Sequence, residues 1–268
     1  MTYVLITGAA SDVAVRLRKL LKSAYPRIRW SDIRPAADLG PEDEFVLADL
    51  GDPAVLAGLV AGVDSIVHLG GFTIDGEWEK VLNVNIDGVF RLFDAAYRAG
   101  VQRVVFASSN HAVGFYERTQ RIGVDVTVRP DSRYGLAKAF GEAAGAYYAD
   151  KHGLRVTCIR IGFVHDIPLD PRRISIWTSP DDLMQLIRIG LEHPDIHYEI
   201  FYGVSDNTAS WYDNGRAYAF GYKPTGNSEV FRDQVLAEHR NVAVNPIAER
   251  FQGGPFASFE YDADKAGN

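Results

Sequence analysis

The sequence is poorest in sulfur: its 268 residues hold one cysteine, Cys158, and two methionines. A single thiol excludes an internal disulfide framework and any multi-cysteine metal site. Cys158 lies in the apolar run Val156-Thr157-Cys158-Ile159, where a buried, inert thiol is expected, and the count suits a reducing compartment. Positive charge is also scarce. Lys and Arg number 28 against 35 Asp and Glu, a formal net charge of -7, and no basic run stands out. A phosphate backbone needs a positive face, so no nucleic-acid partner is expected. No apolar run approaches the length of a membrane span. Met1-Thr2-Tyr3-Val4-Leu5-Ile6 lacks the basic stretch of a secretory signal, so the expected location is the cytoplasm, away from any membrane. His165, His193 and His197 show no spacing with a second ligand pair, so no metal is expected. There is no internal repeat and no low-complexity segment.

What is present is an ordinary globular composition, 47% hydrophobic and 24% charged, in a length that suits one large α/β domain or one with a small appendage. The first half alternates short apolar runs with helical periodicity. Strands are expected at Tyr3 to Thr7, Ile28 to Trp30, Phe45 to Leu47, Ser65 to Leu69, Arg103 to Ala107 and Arg155 to Ile161. Helices are expected at Asp12 to Ala24, Pro53 to Ala61, about Glu77 to Ala99 and about Ser132 to Lys151. Continuous apolar strands, each followed by a helix, predict a parallel sheet covered on both faces. The fold class is therefore α/β, a doubly wound (Rossmann) parallel sheet with a small C-terminal substrate-capping region. Residues 1–161 form the dinucleotide-binding core with the catalytic residues, and 162–268 the substrate-binding part of the same domain. Beyond Ile161 a Pro- and Arg-rich loop runs to Ser175. A helix (Asp181 to Glu192), a strand (Tyr198 to Tyr202), two further helical stretches and an irregular tail from Gly253 follow.

Thr7-Gly8-Ala9-Ala10-Ser11-Asp12-Val13-Ala14 closes the first strand and opens the first helix, where such a fold seats a pyrophosphate. The cofactor-binding candidates here are Gly8, Ala10, Ser11, Asp12 and Val13. A full fingerprint has glycine where Ser11 and Ala14 stand. Ala14 is a mild change, whereas the Ser11 Cβ takes space near the phosphate although its hydroxyl can donate to it. Asp12 is read as serving the helix itself, by capping or through the dipole. Asp32, a little over 20 residues beyond Gly8, is positioned for ribose hydroxyls and so favours NAD; the alternatives are a turn residue or an ion pair with Arg34. Asp49-Leu50 and Leu69-Gly70-Gly71 end the third and fourth strands, the first beside the adenine and the second small enough to let the cofactor pass close to backbone.

Tyr134-Gly135-Leu136-Ala137-Lys138 places a tyrosine and a lysine four apart on one helix face. An ammonium beside the phenol is expected to lower the tyrosine pKa. Ser109 follows at the carboxyl end of the fifth strand, where ligands bind in open α/β sheets. Its hydroxyl is positioned to hold the substrate oxygen while Tyr134 takes the proton. Asn85 either holds a backbone carbonyl or water near Lys138, or is a structural amide. His68, inside a predicted buried strand, is structural; Trp211-Tyr212-Asp213-Asn214 reads as packing plus a helix cap.

These motifs resemble the extended short-chain dehydrogenases and, among them, the uronate dehydrogenases. The specific segments are Val67-His68-Leu69-Gly70-Gly71, Val105-Phe106-Ala107-Ser108-Ser109-Asn110-His111, Arg129-Pro130-Asp131, Trp211-Tyr212-Asp213-Asn214, Gly221-Tyr222-Lys223-Pro224 and Phe251-Gln252-Gly253-Gly254. The resemblance implies NAD-dependent oxidation of a hexuronic acid, such as glucuronate or galacturonate, at C1 to an aldarolactone. It implies Tyr134 as base, Ser109 positioning the hydroxyl, and Lys138 tuning Tyr134 and holding the nicotinamide ribose. Asn110, His111 and Thr73 would contact the sugar, Arg172 its carboxylate. It also implies a homo-oligomer. Phe163 departs from the family, which has a small hydroxyl residue there, and is expected to narrow the sugar pocket. Two alternatives remain: a short-chain dehydrogenase or epimerase acting on another small sugar or polyol, and a non-catalytic dinucleotide sensor.

Overall fold

The computed structural model describes residues 2–73 and 76–263. Its centre is a seven-stranded, all-parallel sheet in the order β3-β2-β1-β4-β5-β6-β9. The strands are β1 (Tyr3–Thr7), β2 (Arg27–Asp32), β3 (Glu44–Leu47), β4 (Ser65–His68), β5 (Arg103–Ser109), β6 (Arg155–Ile161) and β9 (Tyr198–Gly203); β7 (Phe163–Val164) and β8 (Trp177–Thr178) pair separately as a small ribbon. β1 lies in register with β2 from Tyr3 opposite Arg27 to Thr7 opposite Ser31. The chain moves outward from β1 to β2 and β3, then returns to β4 on β1's other side. The carboxyl ends of β1 and β4 therefore flank a topological switch point, where ligands bind in such sheets.

Strand alternation sends Leu5, Ile66, Val104, Phe106 and Val156 to one face. There they pack on α2 (Pro53–Val60), α4 (Gly88–Arg98) and α5 (Arg133–His152) through Leu56, Leu59, Leu92, Phe93 and Tyr148. Val4, Ile6, Val67, Val105, Ile159 and Phe201 face the other way, against Leu17 and Leu21 of α1 (Asp12–Ala24) and Leu183, Leu186 and Ile187 of α7 (Pro180–Glu192). Each buried aliphatic contributes roughly 1.5–3 kcal/mol, so the double covering is the main source of stability.

Three local differences from the sequence reading have physical causes. The helix expected from Glu77 to Ala99 is a short α3 (Trp78–Lys80), a π-helical stretch (Val81–Asp87) and α4. The Gly88 N–H reaches back five residues to the Asn83 carbonyl, a widening that residue periodicity does not reveal. The loop expected after Ile161 holds β7, α6 (Pro171–Ile176) and β8. Finally, β9 joins the main sheet and α7 covers it, so the doubly wound layer continues past residue 161 to Gly203. The remainder is α8 (Gly215–Ala219), a 3-10 turn (Ser228–Phe231), α9 (Arg232–Glu238), α10 (Pro246–Arg250) and α11 (Pro255–Ser258), the last lying in the tail expected to be irregular. A third, smaller core of Val113, Ile122, Ile176, Tyr202, Val204 and Tyr212 ties this region to the sheet. Asn214, expected to cap a helix, instead brackets Tyr202: its amide accepts from that residue's N–H (3.1 Å) and donates to its carbonyl (2.7 Å). Among the described residues no helix is long and apolar enough to cross a membrane.

Candidate active site

At the β1–α1 turn the backbone of Gly8 has φ +71°, and a Cβ there would fall 2.5 Å from the Gly70 nitrogen. Only glycine lets the β1 and β4 exits approach this closely. Ser11, not Asp12, caps α1: its hydroxyl oxygen accepts from the Ala14 N–H at 3.2 Å, and Asp12 sits in the first turn. Capping consumes a Ser11 lone pair and leaves its proton free. The N–H groups of Asp12 and Val13 take no partner among the described residues, the arrangement that makes a helix start receptive to an anion. Asp32 closes β2 and is fixed by two backbone donors, Ala10 N–H (2.9 Å) and Arg34 N–H (3.2 Å). Arg34 makes no ion pair with it; its guanidinium donates to the Ala10 carbonyl at 3.0 Å. Leu50 is buried against Gly70, while Asp49 is exposed and its carboxylate accepts from the Gly51 N–H.

Beneath this groove lies a polar floor. Thr7 Oγ1 bonds His68 Nδ1 at 2.7 Å and accepts from the Gly70 N–H at 3.3 Å. His68 stacks on Phe106, and burial, with the Lys138 charge nearby, drives its pKa down to about 3. Asn85, in the π-helical stretch, clamps the backbone of Phe72 from both sides, accepting from its N–H (2.8 Å) and donating to its carbonyl (2.6 Å). Asn85 therefore sets the path of the chain just beyond Leu69-Gly70-Gly71. A free helix N-terminus, a carboxylate held at the β2 end and small residues at the β4 exit fit a dinucleotide lying across the switch point.

Ser109, Tyr134 and Lys138 converge at the carboxyl end of β5. Ser132 caps α5, its hydroxyl accepting from the Gly135 N–H at 3.0 Å, which puts Tyr134 in the first turn and Lys138 one turn on. Ser109 caps the 3-10 turn Asn110–Val113 by accepting from the His111 N–H at 3.2 Å, and its hydroxyl acts to lower the Tyr134 pKa. Lys138 Nζ donates to the Ala107 carbonyl at 2.7 Å and lies 5.5 Å from the Tyr134 ring centre. The electrostatics run against the sequence expectation. Burial pushes the Tyr134 phenol up to about 12, the Ser109 hydroxyl pulling it back and the Asp131 charge adding to the rise. Burial also pulls Lys138 down to about 8. Desolvation outweighs the ammonium here.

On the far side of the phenol, His111 stands edge-on to Tyr134 (ring centres 5.9 Å apart) and stacks on Phe256 at 4.1 Å. Its Nδ1 bonds the buried Asp131 carboxylate at 2.7 Å. Asn110 donates its amide nitrogen to the Ile161 carbonyl (3.1 Å) and accepts from Arg172 Nη2 (2.9 Å). Arg172 Nε donates to the Gln252 carbonyl at 2.7 Å. Burial lowers its pKa, and it makes no ion pair among the described residues. Its neighbour Arg173 pairs with Asp170 and covers Phe163 at 4.3 Å. The Phe163 ring is thus occupied by Arg173 and by a stack on His165 at 5.4 Å. Thr73 is exposed at the edge of the described residues and makes no hydrogen bond among them.

The sequence reading missed Asp131 and Phe256 as site residues, and the support under α5. Arg160, fully buried in β6, makes a two-pronged pair with Glu142 of α5 (2.9 Å on each oxygen), and the Ser108 hydroxyl donates to the same carboxylate at 2.6 Å. Its signal was an arginine inside the apolar run of β6, which needs a partner when buried. Asp131 carried none beyond its place in Arg129-Pro130-Asp131, and Phe256 lies in a tail with no periodicity. Cys158 is fully buried between Glu142 and Tyr198, and burial raises its thiol pKa well above the ordinary value.

Residues 4–164 match the model of the NAD dependent epimerase/dehydratase family. A uronate dehydrogenase of Pseudomonas putida is 43% identical over 254 residues, 94% of each chain. An NAD-dependent glucose-6-phosphate dehydrogenase of Haloferax volcanii is 37% identical, over 85% of this chain and 95% of that one. A crystal structure of a mutant uronate dehydrogenase from Agrobacterium tumefaciens, complexed with NAD, superposes with a TM-score of 0.90 at 38% identity, covering 96% of this chain and 97% of that chain.

Proposed function

Because the chain belongs to the NAD-dependent epimerase/dehydratase family and is an NAD-dependent dehydrogenase of the uronate dehydrogenase kind, we propose that it oxidises a hexuronic acid at C1 to the aldarolactone, with Tyr134 as base. The observation that carries the substrate reading is Arg172: a guanidinium turned inward beside Asn110, with no carboxylate of its own. A partly buried cation without a direct ion-pair partner is costly. A planar carboxylate on the substrate supplies the missing charge and matches the guanidinium fork.

The remaining residues divide the work. The N–H groups of Asp12 and Val13 receive the pyrophosphate, Asp32 the ribose hydroxyls, and Asn85 keeps the Phe72 backbone in place alongside. Bound NAD supplies the electron-poor ring that accepts hydride from C1. The C1 hydroxyl is held between the Ser109 hydroxyl and the Tyr134 phenolate. Tyr134 removes its proton as the carbonyl forms, and Lys138, one helical turn away, stabilises the phenolate. A phenol pushed up to about 12 is a reluctant base in the free protein. The cationic nicotinamide ring of bound NAD would join Lys138 in lowering it toward a working value.

A second reading, a phosphorylated aldose, is favoured by the 37% identical glucose-6-phosphate dehydrogenase, since a guanidinium also pairs with phosphate. One assay separates the cases: formation of reduced nicotinamide by purified protein with NAD and glucuronate, galacturonate, glucose 6-phosphate or a neutral aldose. Turnover of uronates above the other two classes is expected. Preference for the phosphate ester gives the second reading. NAD binding with no turnover of any sugar makes the protein a sensor.

A further inference from the structure

Asp131 lies behind His111 in the loop that leads to α5. Its side chain is fully buried, in a slot open only because two glycines flank it. A Cβ on Gly114, from the β5 exit, or on Gly253, from the C-terminal segment, would collide with the same carboxylate oxygen, Oδ2. These two segments are themselves joined by the Gly253 N–H donating to the Gly114 carbonyl at 2.8 Å. The other oxygen, Oδ1, accepts from the Ser132 hydroxyl at 2.8 Å. An ionised carboxylate only accepts hydrogen bonds, so the His111 Nδ1 at 2.7 Å must carry a proton. In the neutral ring that leaves Nε2 with a bare lone pair, since the bond made by one imidazole nitrogen fixes the other. His111 Nε2 has no partner among the described residues and is not among the sealed, unpaired polar atoms. The ring stands edge-on to Tyr134, and Phe256 is stacked on one of its faces.

We propose that Asp131 is a positioning residue that makes His111 Nε2 a dedicated hydrogen-bond acceptor for a hydroxyl of the sugar, so that the site demands a donor hydroxyl at one ring carbon. This rests on the reading of the pocket as a monosaccharide site. The Gly114–Asp131–Gly253 clasp gives the slot its second consequence: the C-terminal segment that carries Phe256 and the Gln252 carbonyl, on which Arg172 leans, is registered on the same carboxylate. Acceptor and guanidinium are thereby set at a fixed spacing, which suits a sugar with a carboxylate at one end and a donor hydroxyl along its edge.

The test begins with the wild-type protein and needs no turnover. Nitrogen-15 NMR of histidine-labelled protein, with the His111 signals assigned by their loss in His111→Gln, is expected to show Nδ1 protonated and Nε2 bare at a pH where the ring is neutral. A proton on Nε2 instead overturns the proposal. With NAD saturating, Asp131→Asn is then expected to raise KM for the preferred uronate about 10-fold with kcat changed less than about 3-fold, as loss of one hydrogen bond to substrate would do. It should also erase the preference for that uronate over the one monodeoxy analogue lacking the bonded hydroxyl. An unchanged KM, or a fall in kcat alone, overturns it. Absence of turnover with every sugar is a failure of the dehydrogenase reading and not of the tautomer assignment, which the NMR decides by itself.

Discussion

On the cofactor side most candidate residues lie at or near a strand end, with Gly8 after β1, Asp32 closing β2, Leu50 after β3 and Gly70 after β4, while Asn85 and Lys138 stand on helical segments. The backbone of a parallel sheet puts the strand-end residues together, and polar contacts from Ala10 to Asp32 and from Thr7 to His68 and Gly70 tie β1 to its neighbours on both sides. On the substrate side Asn110, Asp131, Arg172 and Phe256 come from a 3-10 turn, a loop, a six-residue helix and the C-terminal segment. Nothing regular joins these pieces. They are held by hydrogen bonds over long sequence separations, such as Arg172 on the Gln252 carbonyl, Arg118 on the Ala248 and Phe251 carbonyls, and Gln252 on the Glu117 and Gln120 carbonyls. The lesson is that the half of the site shared with other doubly wound proteins is placed by the strand ends of one sheet, and the other half by contacts between segments far apart in the chain.

If that contrast is right, perturbations should separate chemistry, substrate choice and cofactor seating in that order of size. Tyr134→Phe removes the proposed proton acceptor where the two halves meet. A loss of kcat of about 1000-fold is expected from general-base catalysis, with NAD affinity by calorimetry unchanged; a modest loss would assign the base elsewhere. Arg172→Ala should lower kcat/KM for uronates about 100-fold, the scale of a charge-assisted, two-pronged contact, while any turnover of neutral aldoses stays level. Equal losses for both would make Arg172 a structural support of the C-terminal segment.

On the cofactor side the largest expected effect is on stability. His68 titrates near 6.5 when unfolded and at about 3 in the fold. As pH falls below 6.5 the unfolded chain takes a proton that the buried ring refuses, so stability drops until about pH 3. Denaturant unfolding at pH 7 and pH 5 should therefore show a fall that is smaller by about 2 kcal/mol in His68→Asn, from the offset accumulated over that window. An identical fall would mean the ring is protonated in the fold. The smallest effect is expected at Ser11. Ser11→Gly keeps a tolerable cap and removes a Cβ, so stability should change by only a few tenths of a kcal/mol and NAD affinity by less than about 3-fold; a large gain in affinity would show that the side chain does obstruct the phosphate.

The same division marks what could be read from the residues in order. Short continuous apolar runs, each followed by a helical pattern, located β1 to β6, and the four-residue spacing of Tyr134 and Lys138 put both on one helix face, because these are properties of neighbouring residues. The seventh strand's place in the sheet, the inward turn of Arg172 away from Arg173, and the pairing of Asp131 with His111 depend on segments that meet only in the folded chain. The tyrosine shows the limit most clearly. Sequence placed an ammonium beside it and so implied a lowered pKa; burial, which is set by everything packed around the site, reversed the sign. Local order along the chain determined the sheet, its dinucleotide groove and the grouping of Ser109, Tyr134 and Lys138. Tertiary structure alone decided the charge state of that group and the walls of the substrate pocket, since desolvation and long-range contacts have no local signature.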